Sequence, residues 1–250
     1  MQVCLLGRFE ILKHGAPISL RPGGKVEQLV GALAIHRSAG VRREELMEGV
    51  WPDRDGDQAG NSLNNLAHWL KQQLCDALGG KSPVHHYGGR YFLALGGDLS
   101  VDTMEFDRLG ELGSRCSLDG DFETAVRLYD EALQLYVGDL TSGSDILFLL
   151  ERERLRGRYL SIMATLAERC YALGDYEQSL QHALALVYAD PCREDAHRMI
   201  MRCYVRNGQR AQALRHFALC RDILHREFGA VPEVATLALF EAVRTNPASV

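Results

Sequence analysis

Three glycine-centred turn signals, each set between two runs of helical apolar periodicity, constrain this chain more than any other feature. Gly120-Asp121-Phe122-Glu123 is followed by Ala125, Tyr129 and Ala132. Gly174-Asp175-Tyr176-Glu177 is followed by Ser179 and Ala183, with Pro191 beyond, and Gly208-Gln209 by Ala213, Phe217 and Cys220. The last two glycines are 34 residues apart. The first two are 54 apart, which leaves a 20-residue insertion around Val137–Arg156. Small residues such as Gly113, Ala125 and Ala167 let paired helices approach closely, and aromatic residues (Tyr129, Tyr204, Phe217) fill the space between pairs. No such pair buries its apolar face alone, so from about Phe106 onward the chain must fold by stacking one pair on the next.

The first hundred residues read differently. Three short extended stretches, Gln2–Leu6, Arg8–Lys13 and Pro17–Leu20, are punctuated by Gly7 and His14-Gly15. Helical patterns follow near Gly24–Ser38, Arg42–Val50 and Ala59–Leu78, and a hairpin over Val84–Tyr87 and Arg90–Leu95 turns at Gly88-Gly89. The first helix is opened by Pro22-Gly23-Gly24 and carries Val26, Leu29, Val30, Leu33 and Ala34 on one face; Ala39-Gly40 stops it. The second ends at Trp51-Pro52, where proline has no N–H to continue the ladder. The fold expected is therefore α+β: an N-terminal winged helix-turn-helix over residues 1–98, followed by an all-α helical repeat domain over 99–250, whose 34-residue period is that of tetratricopeptide (TPR) repeats. A TPR-like stack has no chemistry of its own and offers a concave surface to a peptide, a helix or another subunit.

The third helix is the informative one. Leu63, Leu66, Ala67, Leu70, Leu74 and Leu78 form an apolar stripe, and the opposite side presents Asn61, Asn65, His68 and Gln72, with Asn64 and Lys71 on one flank. Asparagine and glutamine amides pair two-fold with the N6/N7 edge of adenine, and lysine reaches guanine or phosphate, so this side suits base reading in a major groove. Phosphate contacts are expected from Lys25, Arg42, Arg43 and Arg90, with His85, His86 and Tyr91 adding hydrogen bonds. The acidic loop Trp51-Pro52-Asp53-Arg54-Asp55-Gly56-Asp57 ends in a helix cap, for which Asp57 is suited. Glu151-Arg152-Glu153-Arg154 reads as a solvated helix face with i,i+3 and i,i+4 pairing.

Composition excludes more than it selects. At 250 residues the chain is long enough for two modest domains, and 46 % apolar with 24 % charged residues is ordinary for a globular protein. No stretch reaches the roughly 18 apolar residues of a membrane span, and the N-terminus lacks a secretory pattern, so a cytoplasmic protein with no membrane partner is expected. Seven scattered cysteines without a C-x-x-C imply reduced thiols. His85-His86 has no third ligand nearby, so neither metal nor cofactor is expected. Phosphate-loop, G-x-S-x-G and H-E-x-x-H patterns are absent, which argues against an enzyme. Residues 1–100 carry 11 Lys/Arg against 10 Asp/Glu, and residues 101–250 carry 17 against 23. A near-neutral first half lacks a strong basic footprint, and that leaves open a second reading: an interaction module whose winged helix no longer binds DNA.

Several segments carry a family resemblance: Leu5-Leu6-Gly7-Arg8-Phe9-Glu10, Leu33-Ala34-Ile35-His36, Arg43-Glu44-Glu45-Leu46-Met47-Glu48-Gly49-Val50-Trp51-Pro52, Asn61-Ser62-Leu63-Asn64 and Gly89-Arg90-Tyr91. Together they resemble the SARP-type bacterial activators, which join an OmpR-like winged helix to a bacterial transcriptional activator domain (BTAD). The resemblance covers essentially the whole chain. It implies a homodimeric transcriptional activator that binds double-stranded DNA at direct-repeat promoter sites and recruits RNA polymerase, with Trp51, Asp53, Arg54 and Asp55 in the polymerase-contact loop. No constellation of residues identifies a small-molecule ligand. Where that family usually carries Leu-Arg-Arg at the end of its recognition helix, this chain has Leu70-Lys71-Gln72.

Overall fold

The computed structural model describes residues 1–18, 24–36, 39–94, 99–141, 143 and 146–250, and the chain divides into two compact units, Met1–Arg156 and Gly157–Val250. In the first, β1 (Gln2–Cys4), β2 (Glu10–Lys13) and β3 (Ala16–Pro17) precede α1 (Lys25–His36), β4 (Val41–Arg42), α2 (Arg43–Val50) and α3 (Gly56–Leu74). A 3-10 turn at Asp76–Leu78 leads to β5 (Val84–Tyr87), β6 (Arg90–Leu93), β7 (Ser100–Val101), α4 (Asp102–Leu118) and α5 (Phe122–Leu135). Helix α6 (Ile146–Ala172) contains the division between units; α7 (Tyr176–Ala189), α8 (Glu194–Arg206), α9 (Arg210–Phe228) and α10 (Val234–Thr245) complete the second.

One sheet has the order β3-β2-β1-β7, with β1 antiparallel to β2 and parallel to β7. Its register sets Val3 between Ile11 and Val101, three side chains at 1 % exposure that put one face of the sheet in the core. The other sheet has the order β4-β6-β5, all antiparallel. The β5–β6 hairpin turns at Gly88 and Gly89, with φ of 58° and 75°; positive φ at both central residues is the requirement of the turn that matches strand twist. Behind it, α1 buries Leu29, Val30, Leu33 and Ala34, and α2 buries Leu46 and Val50.

The strands are shorter than expected, for a polar reason. The first ends at Cys4 because the amides of Leu5 and Leu6 turn to the Asp102 carboxylate, donating to Oδ2 at 2.7 and 2.9 Å. Burial pushes the Asp102 carboxyl up to about 6, against these and neighbouring backbone N–H donors that pull it down. The second strand starts at Glu10 rather than Arg8. The third is Ala16–Pro17; Ser19 and Leu20 of that expectation lie outside the described residues, as do Pro22 and Gly23, Ser38, Leu95 and Asp98. Helix α3 starts three residues earlier than its apolar pattern, since Asp55, not Asp57, is the N-cap and accepts from the Gln58 amide at 2.8 Å.

The 20-residue insertion is not a free loop. Residues 139–141 lie along Leu5–Gly7 through Thr141 N–H to Leu5 O (3.1 Å), Gly7 N–H to Asp139 O (2.9 Å) and a Leu6–Leu140 bridge. From Ile146 onward the insertion forms the start of α6. Arg154 is exposed and makes the expected i,i+3 pair with Glu151 at 2.8 Å, but it also reaches the buried Asp107 with two hydrogen bonds of 2.9 and 2.6 Å, and Arg152 donates to Leu140 O. The reason is that α4 carries an inward carboxylate, Asp107, that Arg154 of α6 answers.

The helix pairs close as their glycines predict. At each turn the glycine has positive φ (84°, 84° and 72° at Gly120, Gly174 and Gly208). The glycine amide bonds back three residues and the next amide back five: Gly120 to Ser117 and Asp121 to Cys116, Gly174 to Tyr171 and Asp175 to Cys170, Gly208 to Val205 and Gln209 to Tyr204. This is the Schellman arrangement, repeated three times. Asp121 and Asp175 then cap the following helix. In the second unit Ala167, Ala183, Met199, Ile200 and Cys203 form one cluster, and Met201, Ala213, Phe217, Leu239 and Val243 another, with Phe217 stacked on Phe240 at 4.0 Å. Between α8 and α9, His197 and His216 are buried. His197 Nε2 donates to Pro191 O (2.9 Å), and its Nδ1 lies 2.9 Å from His216 Nε2, so the two rings share one hydrogen bond. Burial pushes His216 down to about 4 and lowers His197.

Candidate nucleic-acid interface

Helix α3 is two-sided. Ala59, Gly60, Leu63, Leu70 and Leu74 are buried, while Asn61, Asn64, Asn65, His68, Lys71 and Gln72 are all exposed. The first polar set that the sequence marks is therefore brought to one accessible side. Within it, Gln72 Nε2 donates to His68 Nε2 at 3.0 Å, and Asn64 Oδ1 accepts from Arg43 Nη1 at 3.0 Å.

The cations around this helix are placed less simply. Strand β4 sets Val41 opposite Tyr91 and Arg42 opposite Arg90. That register turns two of the expected phosphate contacts inward. Arg43 donates from Nη1 to Tyr91 Oη (2.7 Å) as well as to Asn64, and from Nη2 to Gly60 O (3.2 Å). Arg90 Nη1 donates to the carbonyls of Ala39 and Gly40. Tyr91 is buried, its hydroxyl held by Arg43 and its ring 4.5 Å from that of His86. Lys25 is exposed along its stem, but its ammonium donates to Val50 O at 2.5 Å, where it sits at the carbonyl end of α2. Arg42 stays exposed, with a 3.5 Å pairing to Glu45; His85 and His86 are exposed on β5. The cluster thus divides into an inner bracket (Arg43, Arg90, Tyr91) and an outer set (Arg42, His85, His86, Lys71).

The loop before α3 divides too. Trp51 is buried at 7 % exposure and anchors the end of α2, so it is not available to a partner as the sequence suggested; an indole this large fills the core when a chain turn passes over it. Asp53, Arg54 and Asp55 are exposed, although Arg54 bonds Ser62 and Asp55 caps α3. Among the described residues no group of three His, Cys, Asp or Glu could hold a metal ion. No described helix is long and apolar enough to cross a membrane.

The bracket was missed by sequence reasoning, but one signal pointed to it. Gly60 interrupts a strong helical pattern, and an isolated helical glycine often marks a close approach. A Cβ there would lie 2.8 Å from Arg43 Nη2.

Comparison with known proteins decides the class. A family model for the bacterial transcriptional activator domain matches residues 101–244. The chain belongs to that family. The regulatory protein DnrI of Streptomyces peucetius is 26 % identical over 99 % of this chain and 93 % of its own length. The transcriptional regulatory protein MoaR1 of Mycobacterium bovis is 25 % identical over 97 % of this chain and 79 % of its own. The transcriptional regulator RedD of Streptomyces coelicolor is 28 % identical over 84 % of this chain and 61 % of its own. Among solved structures, Mycobacterium tuberculosis EmbR, in complex with a low-affinity phosphopeptide, superposes with a TM-score of 0.78 at 20 % identity; it covers 97 % of this chain, which spans 64 % of that one. The SARP-type resemblance holds, and the BTAD chain is a transcriptional activator, not an enzyme. Its largely helical fold with a small N-terminal sheet region is shared with EmbR.

Proposed function

We propose that residues 1–98 form a winged helix-turn-helix domain that lays α3 in the major groove of duplex DNA, with the β5–β6 hairpin near the adjacent minor groove. In this reading the activator binds direct-repeat promoter sites as a homodimer. The helical region from residue 99 onward holds the dimer or touches RNA polymerase, and Asp53 and Arg54 offer a further polymerase contact. The functional boundary at 98–99 then differs from the packing division at 156–157, because α4, α5 and the start of α6 pack with the first unit. The observation that carries the reading is the exposure of all six polar residues along one side of a helix whose opposite side is core.

A gel shift of the full chain against promoter fragments at two salt concentrations tests it. Specific binding that weakens with salt supports the reading. In the same assay Asn65→Ala is expected to relax preference at one base position by about 1–3 kcal/mol while leaving random-sequence affinity unchanged. Equal losses on specific and random DNA would sink the base-reading role. The second reading, an interaction module without DNA binding, is favoured by one finding: Arg43 and Arg90 are engaged inside the domain. It predicts no shifted band at either salt concentration.

A further inference from the structure

Arginine has only donors, so whichever oxygen it meets must accept. Arg43 Nη1 stands 3.0 Å from the Asn64 amide and 2.7 Å from Tyr91 Oη; its Nη2 is 3.2 Å from Gly60 O. The Arg43 amide also donates to Gly89 O at 3.3 Å, in the hairpin turn. The guanidinium is therefore fixed by α2, α3 and the hairpin together, and it fixes the asparagine in turn. Asn64 must turn Oδ1 inward, which leaves its Nδ2 hydrogens facing out from an exposed position.

We propose that Arg43 is a positioning residue that sets the hydrogen-bond polarity of Asn64, so that Asn64 selects guanine at its base position. The inference rests on the major-groove reading of α3. Guanine presents two acceptors in that groove, N7 and O6, which match a side chain offering only donors. Adenine presents N7 beside the N6 amino donor, and its two-fold pairing needs an amide oxygen facing out. A freely rotating asparagine prefers adenine; one held by Arg43 does not. Gly60 belongs to the device, because a methyl group there would displace the guanidinium.

The experiment selects duplexes from a random-sequence pool with the full chain and sequences the bound fraction. Wild type, Asn64→Ala and Gly60→Ala are compared. Gly60→Ala keeps an ordinary helical backbone, and its gain in helix propensity offsets part of the loss of the Arg43 hydrogen bonds, so it is expected to remain folded, which its circular dichroism checks. The position whose preference vanishes in Asn64→Ala is expected to carry guanine in the wild type, and 7-deazaguanine there, which lacks the N7 acceptor, to weaken binding about tenfold. Gly60→Ala is expected to lower the guanine-over-adenine preference at that position alone, also about tenfold. Adenine at that position in the wild type would overturn the proposal, as would an unchanged preference in Gly60→Ala or no position lost in Asn64→Ala. If no duplex is enriched and binding shows no salt dependence, the DNA reading falls and takes this inference with it. The earlier outcomes overturn the inference alone.

Discussion

The two units hold themselves together in different ways. Unit 1 is joined by polar contacts between residues far apart in the chain: Asp102 with Leu5 and Leu6, Arg154 with Asp107, and Arg43 with Asn64 and Tyr91. Unit 2 is joined mainly by neighbouring helices that meet across short Schellman turns and bury Ala, Met and Phe side chains between them. Unit 1 adds hydrogen bonds spanning up to 97 residues to its apolar core, whereas the side-chain hydrogen bonds that join the helices of unit 2 span fewer than 40. A polar change should therefore injure unit 1 most, and a volume change unit 2. Trp51 and Trp69, the only two tryptophans, both lie in unit 1, so tryptophan fluorescence follows that unit while far-UV circular dichroism follows both.

The largest effect expected is in unit 2. Phe217→Ala removes a ring stacked on Phe240 and should cost about 3–5 kcal/mol in urea unfolding followed by circular dichroism. The tryptophan transition should move little; an equal shift there would show that the units do not unfold separately. In unit 1, Asp102→Ala leaves the buried amides of Leu5 and Leu6 without an acceptor and should cost about 2–4 kcal/mol on the tryptophan signal.

The pH responses should run in opposite directions. Asp102 titrates near 6 in the folded chain against 3.8 as the reference, so its contribution is full below about pH 4 and is lost as pH rises through 6. His216 titrates near 4 against 6.5, so its contribution is full above about pH 6.5 and is lost as pH falls toward 4. Each change amounts to about 3 kcal/mol. Between pH 6.5 and 4, then, the tryptophan transition should strengthen while the helical signal of unit 2 weakens, and His216→Gln should flatten the second trend. Parallel trends would break the comparison. The smallest effect expected is at a turn: Gly174→Ala places a Cβ at φ 84° and should cost about 1–2 kcal/mol.

These two kinds of cohesion also account for what the sequence reveals. The helix pairs are legible because glycine, aspartate and apolar spacing act within a few residues; Gly174, Asp175 and Ala183 each do their work beside their own positions. The exposed side of α3 is legible for the same reason, since a 3.6-residue period separates Leu63 and Leu70 from Asn61 and His68. Strands β4 and β7 are not legible, because two residues show no period. The inward turn of Arg43 and Arg90 follows from β4 and was hidden with it. Trp51 reads as a loop residue by its neighbours Pro52 and Asp53, and its burial depends on the core it closes.

By itself the sequence determined the order of the longer elements, the glycine turns that pair the later helices, and that amides line one side of α3. Tertiary structure alone decided which polar groups on that surface face outward and which hold the domain together. The physical reason is reach: periodicity and caps act over one turn of chain, whereas the partners of Arg43 lie 17 to 48 residues away and those of Asp102 as many as 97. Only a folded chain brings a single guanidinium within 3.2 Å of three such oxygens.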